Sequence, residues 1–184
     1  MYFNKIGKDN TEKTLELTLE VARERGIKHI VIASTSGETA LKLKEEKDLN
    51  IICVSHVNGF KNKGVNSMDS SVKNELEESG IKVLTTTHVL SGAERGLSNK
   101  FGGVSPVEVI AHTLRMFGQG VKVCVEIAIM ALDSDLIPYN EKIIAIGGSG
   151  KGADAAIIMR PSHAASILET KIDEIICKPI EDRW

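Results

Sequence analysis

The chain alternates short, uniformly apolar runs with segments of helical periodicity. Residues 10–25 (NTEKTLELTLEVARER) place Leu15, Leu19 and Ala22 at helical spacing, with Asn10 as the N-cap candidate and Gly26 as the stop. Residues 28–33 (KHIVIA), 50–55 (NIICVS), 81–86 (IKVLTT) and 142–147 (KIIAIG) are β-branched runs bounded by turn residues. Such uniform apolarity predicts strands covered on both faces. Helical patterns separate them at 37–47, at 69–79 and, as a long pair, at 106–117 and 120–136. This alternation implies right-handed crossovers and a mainly parallel sheet. The run 154–159 (DAAIIM) follows its predecessor after only a glycine loop and is therefore expected antiparallel to it. A last strand, 173–178 (DEIICK), completes the core.

With 184 residues, 42% hydrophobic and 26% charged, the chain can bury one sizeable core without disulfide or metal staples, and one domain over 1–184 is expected. A formal charge of −2 sets up no global field to gather nucleic acid or an anionic membrane, so any anion site must be local. Cys53, Cys124 and Cys177 sit far apart in apolar runs, where free cysteine behaves as a small hydrophobe. The first residues lack a signal-peptide core and no stretch has the apolar length of a membrane span, which together read as cytoplasmic. Apolar surface on the long helices suggests a homo-oligomer.

In an open α/β sheet the ligand crevice lies beyond the carboxyl ends of the parallel strands, so the loops that follow strands carry the chemistry. Four stand out: 34–37, 56–67 (HVNGFKNKGVNS), 88–104 (HVLSGAERGLSNKFGGV) and 147–153 (GGSGKGA). The first sits between strand and helix, where free backbone N–H groups and the positive helix end suit a phosphate. Ser34, Thr35, Ser36 and Thr39 add hydroxyls, and Gly37 permits close approach. The same residues fit an ordinary cap, since Thr35 and Glu38 match a capping box and Ser36 could cap as well. Glu38 opposes an anion, and Lys42 one turn later is placed to draw it aside.

The second loop contributes His56, Gly59 and Phe60; the third, long and rich in glycine, contributes Gly92, Glu94, Arg95, Phe101 and Gly102. Glu94 and Arg95 are either a solvated pair or ligand contacts, and His56 and His88 follow their strands directly. Phe60, Phe101 and Phe117 are candidates for an apolar wall or for plain core. The fourth loop matches neither a Walker A loop nor G-x-G-x-x-G. Its glycines serve either a tight hairpin or a ligand wall, with Lys151 as a cation beside it. Glu126 lies in an otherwise apolar helix and requires a partner, for which Lys122 is placed one turn away. Glu108 and His112 lack a third ligand, and no metal is expected. No nucleophile and base pairing is defined by spacing.

The stretch IVIASTSGETALKLKEEKDLNIICVSH resembles the effector-phosphate segment of pyruvate kinase C-terminal domains, and IIAIGGSGKGADAAIIMRP resembles their second effector loop. SGAERGLSNKFGG and RMFGQGVKVCVEIAIMALDSDLIP are similar to the small stand-alone pyruvate kinase α/β-domain proteins. The resemblance implies a three-layer α/β/α fold with a mixed, mostly parallel sheet. It assigns Ser34, Thr35, Ser36, Gly37 and Thr39 to the phosphate loop and Gly147, Gly148, Ser149 and Gly150 to a second wall. The tryptophan and arginine used by sugar-bisphosphate-regulated pyruvate kinases have no counterpart here, which argues against that ligand. The catalytic barrel needs ~250 residues, more than this chain, so pyruvate kinase activity is not expected. For the stand-alone proteins the resemblance implies flavin mononucleotide (FMN), its phosphate in the 34–39 loop. Energetics favour a ligand larger than phosphate. A few charge-assisted hydrogen bonds of about 1.5–3 kcal/mol each barely offset an association cost of about 4–15 kcal/mol, and a buried ring would supply the rest. The expected role is thus FMN binding. Alternatives are an enzyme acting with flavin or on a phosphorylated substrate, or a regulatory module for a sugar phosphate or nucleotide.

Overall fold

The structure, a computed structural model, describes residues 1–180. Seven strands form one mixed sheet: β1 (Tyr2–Phe3), β2 (His29–Ala33), β3 (Asn50–Val54), β4 (Lys82–Leu84), β5 (Ile143–Gly147), β6 (Ala155–Arg160) and β7 (Lys171–Pro179). Their spatial order is β1-β7-β6-β5-β2-β3-β4. β2 lies parallel to both β3 and β5, and β4 parallel to β3, so these four strands end on one edge. β6 is antiparallel to β5 and to β7, as the short glycine connection predicts.

The helices are α1 (Thr11–Arg25), α2 (Glu38–Leu41), α3 (Ser70–Glu78), α4 (Ala93–Phe101), α5 (Pro106–Arg115) and α6 (Gln119–Asp133). Side chains alternate across each strand, so Ile30, Ile32, Ile51, Ile144 and Ile146 join a core with Leu15 and Ala22 of α1 and Leu76 of α3. Val31, Ile52, Val54, Ile143 and Ala145 join the opposite core with α6. Both faces are therefore covered, which is why the strand runs carry no polar alternation. The result is the expected three-layer α/β/α arrangement. All three cysteines are buried, and burial pushes the Cys53 thiol up to about 12.

Several elements depart from the sequence reading. α2 spans four residues rather than 37–47; beyond Leu41 the backbone tightens into turns in which Leu43 N–H donates to Ala40 O and Lys44 N–H to Leu41 O. Burying Leu43 in the α1-side core wins over continued helix. The segment 88–104, expected to be loop throughout, contains α4. Asn10 occupies the N-cap of α1, but its amide reaches back to Lys5 O at 2.6 Å instead of capping. β1, too short to show a pattern, pairs with β7. Among the described residues no helix is long and apolar enough to cross a membrane.

Candidate functional site

The carboxyl edge of the parallel strands opens into a cavity of about 1250 Å³. All four strand-following loops contribute to it. Ser34, Thr35, Ser36, Thr39, His56, Phe60, Arg95, Gly148, Ser149, Gly150 and Lys151 line it. Gly37, Gly59, Gly92, Glu94, Phe101, Gly102, Phe117 and Gly147 do not line it. Phe101 and Phe117 are 73% and 52% exposed, so they form neither cavity wall nor core.

In the 34–39 loop one hydroxyl does the capping and the others are left over. Ser34 Oγ, buried, accepts from the N–H groups of Thr39 and Ala40 at 3.2 and 3.4 Å. Thr35 and Ser36, which also fitted an ordinary cap, make no such bond. Among the described residues the N–H groups of Thr35, Ser36 and Glu38 and the hydroxyls of Thr35, Ser36 and Thr39 have no protein partner. Gly37 turns the chain at φ +86°, where a Cβ would also collide with Val72. Because α2 is a single turn, its dipole is small, and what the loop offers an anion is its own unpaired donors. Lys42 does not draw Glu38 aside: it pairs with Glu12 of α1 at 2.5 Å.

The β3 and β4 loops place three rings together. His56 and Phe60 lie 4.1 Å apart between centroids, and His88 lies 5.6 Å from each. His88 Nε2 accepts the Val57 N–H at 3.3 Å, which puts the ring proton of the neutral form on Nδ1. Burial lowers the pKa of both histidines; Glu126 opposes this, while neighbouring cations add to it. Two buried polar atoms of the wall, His56 Nδ1 and Ser67 Oγ, have no hydrogen-bond partner among the described residues. Glu94 and Arg95 are not in a loop but in the first turn of α4. There Glu94 Oε1 accepts the Gly92 N–H at 2.6 Å, and Arg95 is left at the cavity.

The opposite wall is α6, which contributes Lys122, Val123, Glu126, Ile127 and Met130 from one helical face. Lys122 Nζ donates to Glu126 Oε2 at 2.5 Å, and the Leu90 N–H donates to Glu126 Oε1 at 3.1 Å. The pairing follows the expected i,i+4 geometry. The fourth loop is the β5–β6 hairpin itself. Ser149 spends its N–H and hydroxyl on the buried Asp154, whose other oxygen accepts the Gly7 N–H. Gly150 and Lys151 at the tip reach the cavity.

Sequence reasoning missed Lys8, Thr11 and Glu12, brought in when Thr11 Oγ accepts the Ala153 N–H at 3.0 Å, and Lys61, Arg115 and Gln119. The α6 face carried a signal in its one charged pair, but the start of α1 carried none. The lining holds seven cations against three carboxylates. A chain of net charge −2 thus turns a positive cavity toward solvent. Among the described residues no group of three or more His, Cys, Asp or Glu side chains is placed to hold a metal.

A mixed α/β sheet with an anion-favouring cavity at its carboxyl edge is the class this fold and site define. The chain belongs to the pyruvate kinase alpha/beta domain family, whose model matches residues 12–159. It is also similar to two solved structures of pyruvate kinase from Cryptosporidium parvum. One matches at 16% identity and TM-score 0.39, covering 78% of this chain and 21% of the other. The second, in complex with ADP, matches at 15% identity and TM-score 0.40, covering 80% and 22%. The chain therefore spans about a fifth of the length of those enzymes.

Proposed function

We propose that this domain holds a phosphorylated small molecule at the carboxyl edge of its sheet, with FMN the leading candidate. The carrying observation is the 34–39 loop, whose free N–H groups and hydroxyls face a cavity with an excess of cations. The volume exceeds the ~300–1,000 Å³ of typical small-molecule sites, more than a lone phosphate needs. Phe60, Val123, Ile127 and Met130 offer apolar surface to a planar ring, and His56 Nδ1 and Ser67 Oγ await polar partners. A sugar phosphate or nucleotide in a regulatory module would use the same loop, as would an enzyme acting on such a ligand. No pyruvate kinase activity is assigned to the domain.

A purified sample that is yellow, or turns yellow with added FMN and releases it on denaturation, supports the proposal. A colourless protein that fails to bind FMN removes flavin. Thr35→Ala with Ser36→Ala is expected to weaken FMN far more than riboflavin, which lacks the phosphate. Equal weakening of both removes the phosphate assignment.

A further inference from the structure

Lys122 is an unusual residue to find in α6. Twelve of the helix's fifteen residues are buried, and Lys122 and Glu126 are its only charged ones inside that buried set. Their side chains are 5% and 7% exposed, yet both border the cavity. A buried ion pair is weak evidence for stability, because apolar residues of similar volume serve as well or better. Its position on the α6 wall of the cavity therefore calls for a chemical reason. Glu126 is held at both oxygens, by Lys122 and by the Leu90 N–H. Lys122 has three donors and, among the described residues, one acceptor. Burial lowers its pKa; Glu126 opposes, and Arg115 and Arg95 add to the lowering. Desolvation and neighbouring cations are the conditions under which a lysine amine becomes a nucleophile toward carbonyl carbon.

The geometry points to Lys122 as the nucleophile of a reversible imine with a phosphorylated aldehyde or ketone whose phosphate sits in the 34–39 loop. The ammonium passes a proton to the Glu126 carboxylate it already touches, and the freed Nζ lone pair adds to the carbonyl carbon. The carbonyl oxygen, protonated as the amine loses its second hydrogen, is expelled as water with the proton returned by Glu126. The products are a protonated imine paired with the Glu126 carboxylate, plus one water. No oxidant or reductant is needed. Val123, Ile127 and Met130 line the cavity from the same helical face and offer apolar surface beside the bond. This inference rests on the phosphate half of the proposed function and is independent of flavin.

The test is to incubate the unaltered chain with glycolaldehyde phosphate and borohydride and to map the reduced adduct by peptide mass spectrometry. The adduct is expected on Lys122 rather than on the more accessible Lys8, Lys61 and Lys151, and is suppressed by excess inorganic phosphate. Unphosphorylated glycolaldehyde is expected to label Lys122 at least about tenfold less, the equivalent of one charge-assisted hydrogen bond. Lys122→Arg, if it folds, abolishes the adduct. Label spread over exposed lysines with Lys122 unmodified overturns the inference, and FMN binding in the same sample would leave the proposed function standing. Equal labelling of Lys122 by both aldehydes overturns the phosphate-anchored form of the inference.

Discussion

Ser34 and its two hydroxyl neighbours look interchangeable in sequence but have opposite duties. The Ser34 hydroxyl is buried and accepts two N–H groups of α2, whereas the Thr35 and Ser36 hydroxyls border the cavity with no partner among the described residues. Ser34→Ala leaves two donors short and is expected to cost about 1 kcal/mol, seen as a lower urea midpoint at unchanged slope. Thr35→Ala with Ser36→Ala is expected to change stability by less than about 0.5 kcal/mol. A double variant as destabilised as Ser34→Ala would make those hydroxyls structural after all. The same contrast governs ion pairs. Lys122 with Glu126 was legible because both lie on one apolar helix, where an unpaired charge is costly. Lys42 with Glu12 was not, because its partner is 30 positions away on another helix.

At the scale of elements, legibility followed burial. The strands β2, β3 and β5 and the helices α1, α3 and α6 announce themselves because each must hide an apolar face. α4 hides nothing: it has no buried residue, Leu97 and Phe101 on it are exposed, and Gly92, Gly96 and Gly102 punctuate it. Glycine disfavours helix by about 1 kcal/mol per residue, so neither propensity nor periodicity marks this segment. A helix without buried contacts opens locally at little cost. Amide hydrogen exchange in α4 is therefore expected to approach that of free chain, while α6 amides exchange only with global unfolding. Equal protection of the two helices would mean that α4 is held by contacts beyond those within one chain. Because α4 carries Arg95 to the cavity, its protection should also rise when an anionic ligand is bound.

For the whole molecule, the strand order decides what gathers where. That four loops converge followed from element order, since parallel strands with helical crossovers share a carboxyl edge. The contribution of the chain's beginning did not, because Gly7 reaches Asp154 across 147 positions with no local signal at either end. Folding also buries histidines, two at the cavity and His29 at the start of β2, with a consequence for acid stability. His29, His56 and His88 all have pKa values lowered, first by burial, with Glu141 opposing at His29 and Glu126 at the other two. An unfolded histidine titrates near ~6.5. Below that pH the unfolded chain binds protons that the native rings resist, so the unfolded state gains and stability falls. Above it all three rings are neutral in both states and the contribution is fully present. Melting temperature is thus expected to be level down to about pH 6.5 and to decline below it. Asp173, held low chiefly by its Arg160 hydrogen bond, adds its loss only as pH falls below ~4, where unfolded carboxylates protonate. The two declines are separable. His56→Gln with His88→Gln should flatten the first, leaving the share of His29, and leave the second in place. A variant that declines as steeply as the parent between those two ranges would place the acid sensitivity outside the cavity.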